Sequence, residues 1–248
     1  RRQRQMCIRD RNMRPFYYGK LSDHILWYNP GIAWKKNSCR TGIPVAAGSE
    51  NMEKPRVRIS VRNLVEFILR SGDLDNSSGT SGDKEAMLKG GRLHRKIQRS
   101  MKGDYQAEVS LKKESEYDDV VIQVEGRADG IFTEDGAVYI DEIKGTYGNV
   151  QAMDMPIPVH RAQAMCYGLI WGEKEGISEI HIQMTYAHLE TEETRRFRED
   201  FSIEELKGWY QKLLDAYHKW IAYSLNWKKE RNASMKDLQF PFPYREGQ

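Results

Sequence analysis

Three cysteines in 248 residues are too few and too scattered for a disulfide scaffold or a zinc site, because Cys7, Cys39 and Cys166 have neither finger nor cluster spacing. No apolar run approaches the roughly 18 residues needed to cross a bilayer, so no membrane partner is expected. No signal-like start is present, and a reducing cytoplasm is the expected location. A Gly-x-x-x-x-Gly-Lys-Ser/Thr phosphate loop is also missing, which removes that route to nucleotide hydrolysis. A strong charge excess is lacking as well. The net charge is +3, but residues 1–51 hold ten of the 39 Lys/Arg and three of the 36 acids, which leaves 29 basic and 33 acidic residues from position 52 onward. Affinity for a nucleic acid must then come from a local basic patch or a metal-bridged contact.

The remaining length suits one sizeable domain. Residues 1–51 show no sustained periodicity, open on RRQRQMCIRDR and end in AAGSEN before Met52, so they are expected to be a non-native or disordered extension whose deletion leaves folding unchanged. From Met52 the pattern becomes regular. RVRIS reads as a short extended segment; Ser60 caps a helix with Leu64, Val65, Phe67, Ile68 and Leu69 facing a core, ended by Gly72. SGDLDNSSGTSGD is a polar loop. A second helix from about Lys84 to Met101 puts Met87, Gly91, His94, Ile97 or Gln98, and Met101 on one stripe. Gly90 and Gly91 inside it imply close packing on another backbone. A strand near Ala107 to Lys112 and an acidic loop Glu114 to Asp119 follow.

Val120 to Phe132 and Ala137 to Lys144 flank Asp135-Gly136, the strongest short-range signal for a tight hairpin. With those two residues as the loop, Asp129 faces Glu142, and opposed side chains lie about 4.5–5.5 Å apart at Cβ. Lys144 shares that face, while Asp141 and Ile143 point away. Like charges so placed repel, and a divalent cation such as Mg²⁺, which takes one or two carboxylates, would offset them. An ion-paired hairpin, with Lys144 and Arg127 neutralising the acids, accounts for the same residues.

After a long connection GTYGNVQAMDMPIP, Pro156 and Pro158 precede a helix VHRAQAMCYGLIW closed by Gly172. Gln163 and Tyr167 stand at i and i+4, on one face with His160 and Ile170; a half-buried amphipathic helix with incidental polar groups is the plain reading. Glu179 to Leu189 alternates as a strand. Ser202 and Glu205 form a capping box opening a long helix with Leu206, Trp209, Leu213, Tyr217, Trp220 and Leu225 as its stripe. Residues 228–248, ending DLQFPFPYREGQ, read as a linker.

In order, GRLH, EGRADGI, IDEIKG and QAMCY resemble the four motifs of the RecB-like branch of the PD-(D/E)XK nuclease superfamily, across roughly residues 90–170. Residues 52–248 further resemble the N-terminal region of bacterial DinG/XPD-like DNA helicases that carry such a module. The resemblance implies an α/β, restriction-endonuclease-like core with a small mixed central sheet flanked by helices, over residues 52–227. It implies Mg²⁺- or Mn²⁺-dependent cleavage of DNA in repair or processing, or a degenerate DNA clamp, or a structural module. His94, Asp129, Glu142 and the Ile143 carbonyl would hold metal; Lys144, with Gln163 and Tyr167 bracing it or the DNA strand, would serve the attacking water. Phosphate contacts would come from Arg127 or Arg161. The partners implied are DNA and a helicase core of the same parent chain, missing here together with its ATP site. Several RecB-like nucleases hold an iron–sulfur cluster by four cysteines; with only Cys166 after Met52, none is expected.

Overall fold

The computed structural model describes residues 54–71, 83–101 and 103–238. The chain divides between Glu50 and Asn51, and all described residues belong to the second unit. The extension 1–51, the Gly/Ser loop from Gly72 and the FPFPYREGQ end therefore lie outside the described residues.

The elements in chain order are β1 (Arg56–Ser60), α1 (Val61–Ile68), α2 (Asp83–Ser100), β2 (Gln106–Glu116), β3 (Val121–Glu134), β4 (Ala137–Thr146), a 3₁₀ turn (Val150–Ala152), α3 (Pro158–Glu175), β5 (Glu179–His188), β6 (Thr194–Ser202) and α4 (Ile203–Ser234). The fold is α/β: a mixed six-stranded sheet runs β1-β3-β4-β5-β6, with β2 on the other edge of β3. β1 with β3 and β4 with β5 are parallel; the remaining pairs are antiparallel.

One sheet face carries the main core, in which Ile122, Val124, Ile140, Ile182 and Met184 pack with α1, α3 and α4. Each such aliphatic side chain contributes roughly 1.5–3 kcal/mol by burial. A smaller cluster of Leu93 and Ile97 of α2 with Ile143 and Ala187 covers the opposite face at one end.

Local chemistry explains most boundaries. Asp135 (φ 52°) and Gly136 (φ 82°) make the tight loop, with Glu134 paired to Ala137. Ser60 accepts the Asn63 amide at 3.1 Å, and the Ser202/Glu205 box is closed in both directions. Six readings need correction. The first helix stops at Ile68, ahead of Gly72, and its Phe67 is exposed. α3 runs through Gly172 to Glu175; Gly172 is there because a Cβ would collide with Ile203, and Gly176 at φ 68° supplies the left-handed cap. α3 is also buried on nearly every side between Ala162 and Ile170, packed by the sheet, α1 and α4, so it is not half-exposed. In α2 the covered stripe is Leu93 and Ile97, while Met87 is exposed; a Cβ on Gly90 would meet nothing and one on Gly91 only Arg95. β2 absorbs Glu114–Glu116 from the expected acidic loop, and α4 extends seven residues past Trp227 into the expected linker. β6 escaped the periodicity because charged residues alternate with its Phe197 and Phe201. No helix among the described residues is long and apolar enough to cross a membrane.

Candidate active site

The site is built on an interruption in β3. β1 and β4 share one edge of this strand, β1 along Val121 to Glu125 and β4 along Gly130 to Glu134, so on that edge residues 126–129 have no strand partner among the described residues. On the other edge Val109 pairs with Ala128 and Ala107 with Gly130, while Glu108 between them is held at φ 58°. Gln98 of α2 secures this break, donating to the Asp129 carbonyl at 2.9 Å and to Glu108 at 3.0 Å.

The expected pairing of Asp129 with Glu142 is therefore not a ladder pair. The β3–β4 ladder keeps the predicted register but ends at Gly130 and Asp141. On its other edge β4 pairs with β5 from Tyr139 to Thr146, setting Glu142 beside Met184, Ile143 beside Thr185 and Lys144 beside Tyr186. Asp129 bridges the opening instead, its Oδ2 accepting the Ile143 amide at 2.8 Å. His94, from α2, places Nδ1 3.7 Å from Asp129 Oδ1.

Glu142 and Lys144 point toward α3, as alternation requires. Lys144 Nζ lies 2.7 Å from Glu142 Oε1 and donates to Gln163 Oε1 at 3.1 Å. Gln163 is buried, and Lys144 gives it a partner. Tyr167, one turn further along α3, lies over Gly126: a Cβ there would stand 2.6 Å from the Tyr167 hydroxyl. The glycine of EGRAD and the tyrosine of QAMCY are thus two halves of one contact across the unpaired edge.

Electrostatics sharpen the picture. Glu142 is 1% exposed, its Oε2 has no hydrogen-bond partner among the described residues, and burial together with the Asp129 charge pushes its pKa up to about 8 against the pull of Lys144. Burial also raises Asp129, opposed by His94, the Ile143 amide and Lys144. Tyr167 is raised by burial and by Glu142. Among the described residues no three His, Cys, Asp or Glu side chains converge as a ready-made cation cage. Mg²⁺ needs fewer, since waters and substrate oxygens complete its shell. Two hard carboxylates, one with an orphaned buried oxygen, fit that demand in donor type.

Arg127 and Arg161 stand apart from this group. Arg127 is exposed and lies 2.5 Å from Glu108; Arg161 makes a forked contact with Glu199 at 2.7–2.9 Å and stacks over Phe201 on β6. Cys166 is a core thiol on α3, its pKa raised by burial. Sequence reasoning missed the securing role of Gln98, which helical periodicity placed but could not partner. It also missed Tyr186, which alternation marks as plain core.

No family model and no curated protein matches the chain. Solved structures similar to it include one described as "Crystal structure of SSO0001", 18% identical, covering 63% of this chain and 75% of that one with a TM-score of 0.41, a likeness that carries no argument about function.

Proposed function

We propose that the chain is the metal-dependent DNA nuclease module that its four motifs resemble, a RecB-like PD-(D/E)XK domain working with a helicase core. The observation that supports this most is Glu142: a fully buried carboxylate beside a second acid, with one oxygen on Lys144 and the other without a hydrogen-bond partner among the described residues. Leaving a buried acceptor unsatisfied costs about 1–3 kcal/mol, more for a charged group. A bound Mg²⁺ or Mn²⁺ would remove that cost.

Asp129 and Glu142 would hold the ion, with His94 and the Ile143 carbonyl as further ligands. Once bound, such an ion polarises a phosphoryl oxygen and makes a coordinated water more acidic. Lys144 keeps its three donors ordered between Glu142 and Gln163, leaving one to orient the water or a phosphate oxygen. Tyr167, fixed against Gly126, braces this arrangement from behind. Hydrolysis places the water's oxygen on phosphorus and breaks a phosphorus–oxygen ester bond, the leaving alkoxide taking a proton.

A specific observation favours one other reading, a docking module for the helicase. Trp220, Tyr223 and Trp227 of α4 are 55–65% exposed along one stripe, with Phe67 against Trp220. One experiment separates them. The full chain, incubated with single- and double-stranded DNA and Mg²⁺ or Mn²⁺, cleaves, and Asp129→Ala and Lys144→Ala do not. Cleavage that persists in both variants, or is absent from the wild type, refutes the nuclease.

A further inference from the structure

Resting on the nuclease reading, one group beside Lys144 has no role in it. His160 lies one turn before Gln163 on α3, on the stripe that continues to Tyr167. Its Nδ1 is 3.2 Å from the Tyr186 hydroxyl, and Tyr186 is the residue paired with Lys144 across β4 and β5. The two routes close a ring: Lys144 to Gln163 by a hydrogen bond, Gln163 to His160 along the helix, His160 to Tyr186 by a hydrogen bond, and Tyr186 back to Lys144 across the sheet. His160 therefore stands close enough to Lys144, on the α3 side of the sheet, to feel its charge.

The hydrogen bonds also define its tautomer. The Tyr186 oxygen already accepts the Ile157 amide at 2.8 Å. The arrangement that satisfies both groups has the Tyr186 hydroxyl donating to Nδ1, which leaves the imidazole proton on Nε2. Burial and the nearby Lys144 and Arg62 cations, only partly countered by Glu66, lower His160 to about 4, so the ring is neutral at physiological pH. It is half-buried, with part of its surface open to solvent. Its position is the first turn of α3, whose N-cap Ile157 supplies no capping side chain. Pro158 at N1 has no N–H, so of this turn only the Val159 and His160 amides are donors beside the Nε2 proton.

We propose that His160 is a substrate-binding residue, a neutral donor from Nε2 to a non-bridging oxygen of the DNA phosphate next to the scissile one, held in the required tautomer by Tyr186. A neutral donor avoids adding a second buried cation beside Lys144, while still meeting an anionic oxygen.

The test uses the full chain, Mg²⁺ and a fluorescent single-stranded oligonucleotide in which one phosphate at a time is replaced by methylphosphonate. His160→Ala is expected to slow cleavage about 10- to 100-fold, as loss of one hydrogen bond to a charged group implies, while remaining folded with a melting temperature lowered by a few degrees because the buried Tyr186 hydroxyl loses its acceptor. His160→Gln, whose amide N–H stands near the lost Nε2, restores most of the rate. Tyr186→Phe shows a smaller loss of the same sign. At one position next to the cleaved bond, methylphosphonate slows the wild type but slows His160→Ala no further. A His160→Ala rate within twofold of wild type, or additive losses at every phosphate, overturns the proposal. If the wild type does not cleave at all, the nuclease reading fails by itself, and His160 is judged by oligonucleotide binding in Ca²⁺: weaker binding by His160→Ala supports the contact, and equal binding overturns it.

Discussion

Asp141 and Glu142 are consecutive acids on β4, both withdrawn from water, and the fold treats them in opposite ways. Asp141, 0% exposed, accepts from Thr185 at 2.7 Å, from Gln183 at 3.1 Å and from Tyr105 at 3.1 Å. Gln183 is held in turn by Arg198 at 2.8 Å. Burial raises the Asp141 pKa, but every donor around it works the other way. Glu142, on the α3 side, has Lys144 on one oxygen and, among the described residues, no hydrogen-bond partner on the other. Three donors surround the structural acid, and a single lysine attends the other. The difference is the reason that Glu142, and not Asp141, is the acid proposed to take a metal ion.

The sharpest break of this comparison exchanges the two acids' roles. Glu142→Gln is expected to lower metal-dependent DNA cleavage at least about 1,000-fold, the scale of losing a group that stabilises developing charge. Asp141→Asn, next to it, should cost less than about tenfold. Equal losses would show that Asp141 belongs to the chemistry. Stability should rank the other way. Asp141→Ala strands the donors of Thr185, Gln183 and Tyr105 in the interior and should lower unfolding free energy by about 3 kcal/mol in urea titrations. Glu142→Gln should show no comparable loss.

What the sequence disclosed follows the same division. Alternation along β4 correctly separated Glu142 and Lys144 from Asp141 and Ile143, because a two-residue period depends only on local backbone geometry. The hairpin and its register were legible from Asp135-Gly136. The end of the ladder before Asp129 was not, since it depends on β1 and β4 dividing one edge of β3, a long-range arrangement. For the same reason Tyr105, Gln183 and Thr185 carried no sign of serving Asp141, and Gly126 gave no sign of facing Tyr167. The alternation of β6 was hidden by its Arg and Glu residues, which pair across to β5 and to Arg161.

A smaller effect distinguishes the acids by pH. The Glu142 pKa is raised in the folded chain to about 8, above its unfolded value near 4.5, so between those values the folded state binds the extra proton and stability falls as pH rises. Asp129 and Asp141 are shifted in the same direction, whereas His160, lowered to about 4, contributes the opposite slope below about 6.5. From about 6.5 to 8 the His160 contribution is gone, and the difference between the wild type and Glu142→Gln separates Glu142 from the two aspartates. Across this window metal-free wild type should lose on the order of 1–2 kcal/mol more than Glu142→Gln does. A wild-type profile no steeper than the variant's would mean that Glu142 is ionised throughout and that Lys144 alone compensates it.

The smallest predicted effect tests whether Asp141 is as well satisfied as its contacts imply. Tyr105 reaches it from the segment before β2, its ring stacked on Phe132 with centroids 5.9 Å apart. The ring lies over Gly130, where a Cβ would collide with it. Tyr105→Phe keeps the stacking and removes only the hydroxyl, leaving Asp141 with the Thr185 and Gln183 donors. The expected loss is about 1 kcal/mol of unfolding free energy, that of one hydrogen bond to an acceptor that retains others. Cleavage should be unaffected, because Asp141 and Glu142 project from opposite faces of β4. Adding the hydroxyl's loss to Glu142→Gln should also be additive in stability, as expected for sites without shared partners. Coupling above about 0.5 kcal/mol would show that the two faces communicate through the β4 backbone, and the separation of a structural acid from a ligand-binding one would have to be abandoned.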